Sequence, residues 1–71
     1  MAGEEPILDE AMDNLKEAAH RIRATQNRLR VSGLIDHPNY GGLSYRLSAT
    51  LAMTEAAFVE ARRRLEQSKS H

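Results

Sequence analysis

The fold is decided by residues 40–65, which read YGGLSYRLSATLAMTEAAFVEARRRL. Apolar side chains recur there at alternating spacings of four and three residues, a heptad repeat that lines them up on one side of a helix and that a strand cannot produce. The stripe consists of Leu47, Leu51, Phe58 and Leu65, widened by Leu43, Thr54 and Ala61. The stretch therefore predicts a long helix over about residues 41–66.

A second, weaker apolar stripe lies a quarter-turn or more away on the same helix. It consists of Tyr45, Ala49, Ala52, Ala56 and Val59. A helix with two apolar faces usually contacts two neighbours, whereas the rest of the chain provides one further helix. The second stripe therefore predicts a contact with another polypeptide.

The first half of the chain carries a single apolar stripe. Its centre is formed by Leu8, Leu15, Ile22 and Leu29, which recur every seven residues, and its flanks by Ala11, Ala18, Thr25, Met12, Ala19 and Gln26. This pattern predicts a helix over about residues 6–32, with Pro6 in its first turn and Gly33 ending it in a left-handed conformation. Residues 33–40 are expected to form a loop in which Asp36 or Asn39 caps the second helix. Residues 1–5 and 67–71 are expected to be flexible.

A short connection between two long amphipathic helices favours an antiparallel hairpin. Folding the chain about residue 37 places Leu8 opposite Leu65, Leu15 opposite Phe58, and Ile22 opposite Leu51. The same arrangement brings the acidic start of the first helix to the basic end of the second. The predicted fold is all-α: a coiled-coil-like hairpin of two antiparallel helices, forming a single domain over residues 6–66.

The chain is too short to bury a large core. At 71 residues, a domain buries only about 60% of the surface that its unfolded chain exposes. The hairpin is therefore expected to associate into a four-helix bundle, as a homodimer or with a helical protein partner. The residues predicted to form this partner or oligomer interface are Leu15, Ile22, Tyr45, Leu47, Leu51, Ala52, Phe58, Val59 and Leu65.

Composition is typical of a solvated helical protein. Ten basic residues balance ten acidic ones, and cysteine is absent. No apolar run approaches the roughly 18 residues of a membrane span. The acidic N-terminal residues differ from a secretory signal, which begins with basic residues. From these features we expect a soluble, cytoplasmic protein.

Residues with catalytic or metal-binding chemistry are scattered along the chain. His20, His37 and His71 are not spaced as metal ligands on one helix. No cysteine is present, and no histidine lies within helical reach of the serines and threonines of the second helix. The Gly41-Gly42 pair lacks the Lys-Ser/Thr that follows in a phosphate-binding loop. The sequence therefore predicts no enzyme activity, no cofactor and no metal site.

Five arginines near the loop provide an alternative to a protein partner, because they could bind the phosphates of a nucleic acid. They are Arg21, Arg23, Arg28, Arg30 and Arg46. However, the formal net charge is zero, and arginines beside a coiled-coil stripe commonly pair with glutamates. Glu17 precedes Arg21, and Glu60 precedes Arg64, at the spacing that favours such pairs.

In length and layout the chain resembles two groups of small helical hairpins, the co-chaperones of type III secretion and the secretion needle subunits that they hold. The needle comparison is based on Pro38 and Asn39 followed by Leu43 and Tyr45; the paired-proline loop of that group is absent. The resemblance implies a chaperone-like adaptor that binds a helix of another protein. The function predicted first is thus a non-catalytic protein–protein interaction module, and the alternative is a small nucleic-acid-associated regulator.

Overall fold

The computed structural model describes residues 3–69 and consists of two long helices. Helix α1 spans Glu4–Val31 and helix α2 spans Gly41–Lys69. Two short 3₁₀ turns, Leu34–Asp36 and Pro38–Tyr40, connect them. No strand is present among these residues, so the all-α prediction is confirmed.

The helices are antiparallel and form an elongated hairpin. The Ser68 hydroxyl donates to Glu5 Oε1 at 3.5 Å, which joins the end of α2 to the start of α1. Nearer the turn, Gln26 Nε2 donates to Ser48 Oγ at 3.1 Å. Both contacts agree with the register predicted from the apolar stripes, and the Cα atoms extend over 52 × 14 × 14 Å.

Both helices extend beyond the ranges expected from sequence. Helix α1 already includes Glu4 and Glu5, whose negative charges favour the positive end of the helix dipole. Helix α2 continues to Lys69, and its last turn is held against α1 by the contact between Ser68 and Glu5. The expected flexibility of the chain ends also concerns residues 1, 2, 70 and 71, which lie outside the described residues.

Helix α1 ends at a glycine with a left-handed backbone, as predicted. Gly33 has φ 80° and ψ −1°, a conformation that an L-residue with a Cβ rarely adopts. The Gly33 N–H donates to the Arg30 carbonyl at 3.1 Å, and the Ser32 N–H donates to the Arg28 carbonyl at 3.0 Å. These bonds satisfy two of the carbonyls left open at the end of the helix.

The His37 side chain orders the connection before α2. Its Nδ1 accepts the Asn39 N–H at 3.1 Å, and its ring packs edge-on against Tyr40 with the ring centroids 5.4 Å apart. His37 itself is extended, with ψ 131°, as expected for a residue before proline. The expected capping of α2 by Asp36 or Asn39 was wrong, because neither side chain makes a hydrogen bond among residues 3–69. His37 caps the 3₁₀ turn Pro38–Tyr40, which precedes α2.

The inward-facing side chains of α2 follow the heptad spacing closely. They are Ser44, Leu47, Leu51, Thr54, Phe58, Ala61, Leu65 and Ser68. Leu43, placed by the sequence at the edge of this stripe, is 44% exposed, whereas Ser44 is half-buried. Only Ala19, Ala61 and Leu65 are buried among the described residues. Two helices therefore form a seam of contact rather than an enclosed core.

Candidate protein-binding surface

The exposed side of α2 is apolar over four turns of helix. We call this surface the outer α2 face; its residues are Tyr45, Ala49, Ala52, Met53, Ala56 and Val59, and all are exposed. The three large side chains are well exposed, Tyr45 at 76%, Met53 at 74% and Val59 at 51%. Contiguous apolar surface of this kind commonly marks a site of protein interaction.

The exposed side of α1 is different in character. Between Asp9 and Arg30, every exposed residue of α1 except Ala24 is polar or charged. Between Tyr45 and Val59, the charged residues of α2 are Arg46 and Glu55. The two helices therefore share one apolar seam, but α2 alone presents a second apolar surface to solvent.

The total accessible surface of the chain is large for its mass. A folded monomer of 8.0 kDa is expected to expose about 4,450 Å², whereas the hairpin exposes 5653 Å². The excess of about 1,200 Å² exceeds the roughly 800 Å² that each partner contributes to a stable protein interface. An interface of standard size would thus bring the exposed area close to that of a compact protein.

A groove beside the seam continues the outer α2 face toward α1. It encloses about 260 Å³ between Leu15 and Ala19 of α1 and Phe58 and Val59 of α2. At its edge, Arg23 Nη2 donates to Glu55 Oε2 at 2.9 Å, linking the two helices. Because Val59 belongs to both surfaces, the groove and the outer α2 face form one continuous apolar region.

The residues predicted to form a partner interface divide into two groups. Leu15, Ile22, Leu47, Leu51, Phe58 and Leu65 lie in the seam between α1 and α2. Tyr45, Ala52 and Val59 are exposed. The intermolecular role of both groups stays a prediction, although the exposed three are free to contact another chain without unpacking the hairpin.

The sequence interpretation missed two features of this region. Met53 extends the outer α2 face, and its position about 40° from Ala49 on the helical wheel was a signal that could have identified it. The ion pair between Arg23 and Glu55 is a contact between helices, so it depends on their relative rotation as well as on their sequences.

The arginines near the turn do not form a single basic surface. Arg21 pairs with Glu17 at 3.0 Å, Arg23 pairs with Glu55, and Arg30 donates to the Asn27 side chain. At about 100° per residue, Arg21 and Arg23 point to opposite sides of α1. Arg28 and Arg46 have no acidic partner among residues 3–69. Nucleic-acid binding through these residues stays a prediction.

The described residues contain no cluster of three or more histidines, cysteines or acidic residues arranged to hold a metal ion. His20 lies exposed on α1, His37 belongs to the connection, and His71 lies outside the described range. Neither helix, over the part of the chain that the structure describes, has an apolar stretch long enough to cross a membrane.

No protein-family model matches this chain, and neither do the curated protein sequences or the solved structures with which it was compared. What the protein does is therefore inferred from its own residues. The outer α2 face, together with the groove beside it, is the feature of its surface that most needs a functional explanation.

Proposed function

We propose that the protein is a small, non-catalytic protein–protein interaction module that binds helices of a partner through the outer α2 face. The observation that carries the proposal is the contrast between the apolar exposed side of α2 and the charged exposed side of α1. In its simplest form the assembly is made by two hairpins that associate through their α2 helices into a unit of four helices. A chaperone-like adaptor that shields a helix of another cytoplasmic protein is the second form of the same function.

The binding mechanism is burial of apolar surface. Tyr45, Met53 and Val59 provide the large side chains that lose contact with water, and each large side chain fully buried contributes about 1.5–3 kcal/mol. The alanines at positions 49, 52 and 56 let the backbone of a facing helix approach closely. The polar side of α1 stays in solvent and keeps the assembly soluble.

The weakness of the seam between α1 and α2 supports the same proposal. No large side chain among the described residues is fully buried, and the best-packed one, Leu65, is 6% exposed. Single cores in chains of this size rarely supply more than about 3–5 kcal/mol. A partner helix therefore adds stability that the hairpin by itself lacks.

The test places a photo-crosslinking benzoylphenylalanine at position 53 of the full-length chain, in the cell that produces the protein. Substitution at Leu51 or Phe58 would be less informative, because both side chains pack between α1 and α2. The matched control is position 31, where Val31 is 79% exposed on α1, compared with 74% for Met53.

We expect irradiation to produce a covalent protein adduct from position 53 and much less from position 31. Circular dichroism of both purified variants checks that helix content is unchanged. Equal adduct yields from the two positions, or no adduct from position 53, would refute the proposed binding surface.

A further inference from the structure

We propose that the partner bound by the outer α2 face is a second copy of this chain, packed antiparallel about a twofold axis beside Met53. This inference rests on the proposed function and adds the identity and orientation of the partner. It is carried by three features of α2: the positions of its charges, the sizes of its exposed side chains, and the area that the hairpin leaves in solvent.

The charges that border the outer α2 face are placed symmetrically about Met53. Arg46 precedes Met53 by seven residues and Glu60 follows it by seven. Two antiparallel copies related by a twofold axis at Met53 therefore bring Arg46 of each chain beside Glu60 of the other, at both ends of the contact. A parallel pair would instead keep Arg46 of each chain about 21 Å along the helix axis from Glu60 of the other, so that neither charge pair could form.

Both charged groups are available for this contact. The Arg46 guanidinium has no acidic partner among residues 3–69. Glu60 pairs with Arg64 of its own helix at 3.1 Å, but both side chains are more than 60% exposed. An exposed pair of this kind is weak enough for the carboxylate to accept a second basic neighbour.

The same axis brings small side chains together at the centre of the contact. With the axis at Met53, Ala49 lies within about 1.5 Å of the level of Ala56 of the second copy, and the two Ala52 residues lie about 3 Å apart along the helix axis. Each of these layers contains at least one alanine, so the two α2 backbones can approach closely there. Self-complementarity is the property that a twofold interface requires, since the same surface must serve both chains.

The end of the apolar surface is also explained by the antiparallel arrangement. Beyond Val59, the next position on the outer side of α2 is occupied by Arg63. In the antiparallel pair Arg63 lies about 3 Å along the helix axis from the level of Tyr45 of the second copy, whose ring is 76% exposed. A guanidinium over a tyrosine ring is a favourable contact, and the methylene stem of the arginine covers apolar surface.

The exposed area fits a dimer of this kind. The excess of about 1,200 Å² over a compact monomer is enough for a standard interface, to which each partner contributes roughly 800 Å². The outer α2 face and the groove beside it supply apolar surface for that contact. Helix α1 offers no comparable surface between Asp9 and Arg30.

The first test is an exchange of charges, with mass measured by light scattering behind a sizing column over a dilution series. We expect the native chain to be a dimer, and Arg46→Glu and Glu60→Arg to weaken it roughly tenfold or more, because each creates two repulsive pairs. The double variant R46E/E60R restores opposite charges and is expected to recover most of the lost affinity.

The double variant is also the control for effects within one chain. Glu60→Arg removes the partner of Arg64, but position 46 lies about 21 Å away along the same helix and cannot repair that loss. Recovery therefore requires contact between two chains. The proposed arrangement would be overturned if neither single substitution weakened the dimer. It would also be overturned if the double variant did not recover the dimer affinity that the single variants lose.

The second test uses the absence of cysteine from the chain. Met53→Cys places two thiols beside the twofold axis, so mild oxidation is expected to produce a disulfide-linked dimer. Ala49→Cys is the control, since antiparallel copies keep residues 49 about 12 Å or more apart along the helix axis, beyond the roughly 7 Å limit between bridged Cα atoms. Disulfide formation at position 49 as efficient as at position 53 would show a parallel pair and overturn the proposal.

Failure of this inference can be told apart from failure of the proposed function. A folded monomer at all concentrations, together with an adduct at position 53 whose mass is not twice that of the chain, would refute the second copy while leaving the interaction module in place. No adduct at position 53 would refute both. A dimeric mass and an adduct of twice the chain mass are the results that we expect.

Discussion

Replacement of Leu65 by alanine tests most directly how the hairpin is held together. Leu65 is 6% exposed and is the best-buried large side chain among the described residues. The substitution removes three carbon atoms at about 0.8 kcal/mol each, so the transfer contribution is about 2.4 kcal/mol. The open sides of the seam let neighbouring side chains move into the space, and the cavity contribution is therefore small. We expect a total loss of about 2.5–3 kcal/mol.

Unfolding by urea, followed by far-ultraviolet circular dichroism at one fixed protein concentration, measures this loss. With a denaturant slope of about 1 kcal/mol/M for a chain of this size, the midpoint is expected to fall by roughly 2–3 M. The melting temperature is expected to fall by roughly 10–20 °C. Since a whole domain of this length is stabilised by roughly 4–10 kcal/mol, the variant is expected to keep roughly 1–7 kcal/mol of its free energy of unfolding.

Leu43→Ala is the matched control because it removes the same three carbon atoms from a side chain that is 44% exposed. Its expected loss is about 1 kcal/mol, in proportion to the apolar surface that Leu43 buries. An equal loss in the two variants, or a larger loss at Leu43, would refute the packing described for the seam.

Two further measurements test the turn and the ion pair between the helices. Gly33→Ala should lower the free energy of unfolding by about 1 kcal/mol, because the residue has φ 80°. Gly41→Ala should raise it by about 0.5–1 kcal/mol, since Gly41 has helical dihedrals and open space around its missing Cβ. Thermal melts in which both variants shift the melting temperature in the same direction would contradict this. In a double-mutant cycle, Arg23 and Glu55, both about half exposed, should couple by about 0.2–1 kcal/mol, with a smaller value at high salt. A coupling that salt does not reduce would mean that the pair is shielded from solvent, contrary to the structure.

The features predicted correctly from sequence are those that depend on neighbours along the chain. The heptad spacing determined the two helices and their antiparallel register, and Gly33 determined the end of α1. The pairs Glu17–Arg21 and Glu60–Arg64, at 3.0 and 3.1 Å, confirm the pairs expected from their spacing of four residues. Each of these features follows from helix geometry, which repeats regularly and can be read directly from residue positions.

The features that were missed depend on how the two helices are rotated against each other. The rotation leaves Leu43 44% exposed while Ser44 is half-buried, and it brings Arg23 to Glu55 from positions 32 residues apart. His37, rather than Asp36 or Asn39, makes the capping contact in the connection, to the 3₁₀ turn before α2, because the path of the chain through Pro38 places its imidazole beside the Asn39 N–H. Periodicity does not determine these contacts, since they are made between segments.

The sequence by itself determined an all-α hairpin with two apolar stripes on its second helix, because apolar residues that repeat at helical spacing lie on one side of the helix and are buried together. The tertiary structure alone decided how much surface the hairpin leaves exposed and which side chains meet across the seam at its edges. The physical reason is that two helices can cover only one side of each other. The stripe with Leu51 and Phe58 forms the seam, and the stripe with Ala52 and Val59 lies in solvent, where a further helix can cover it.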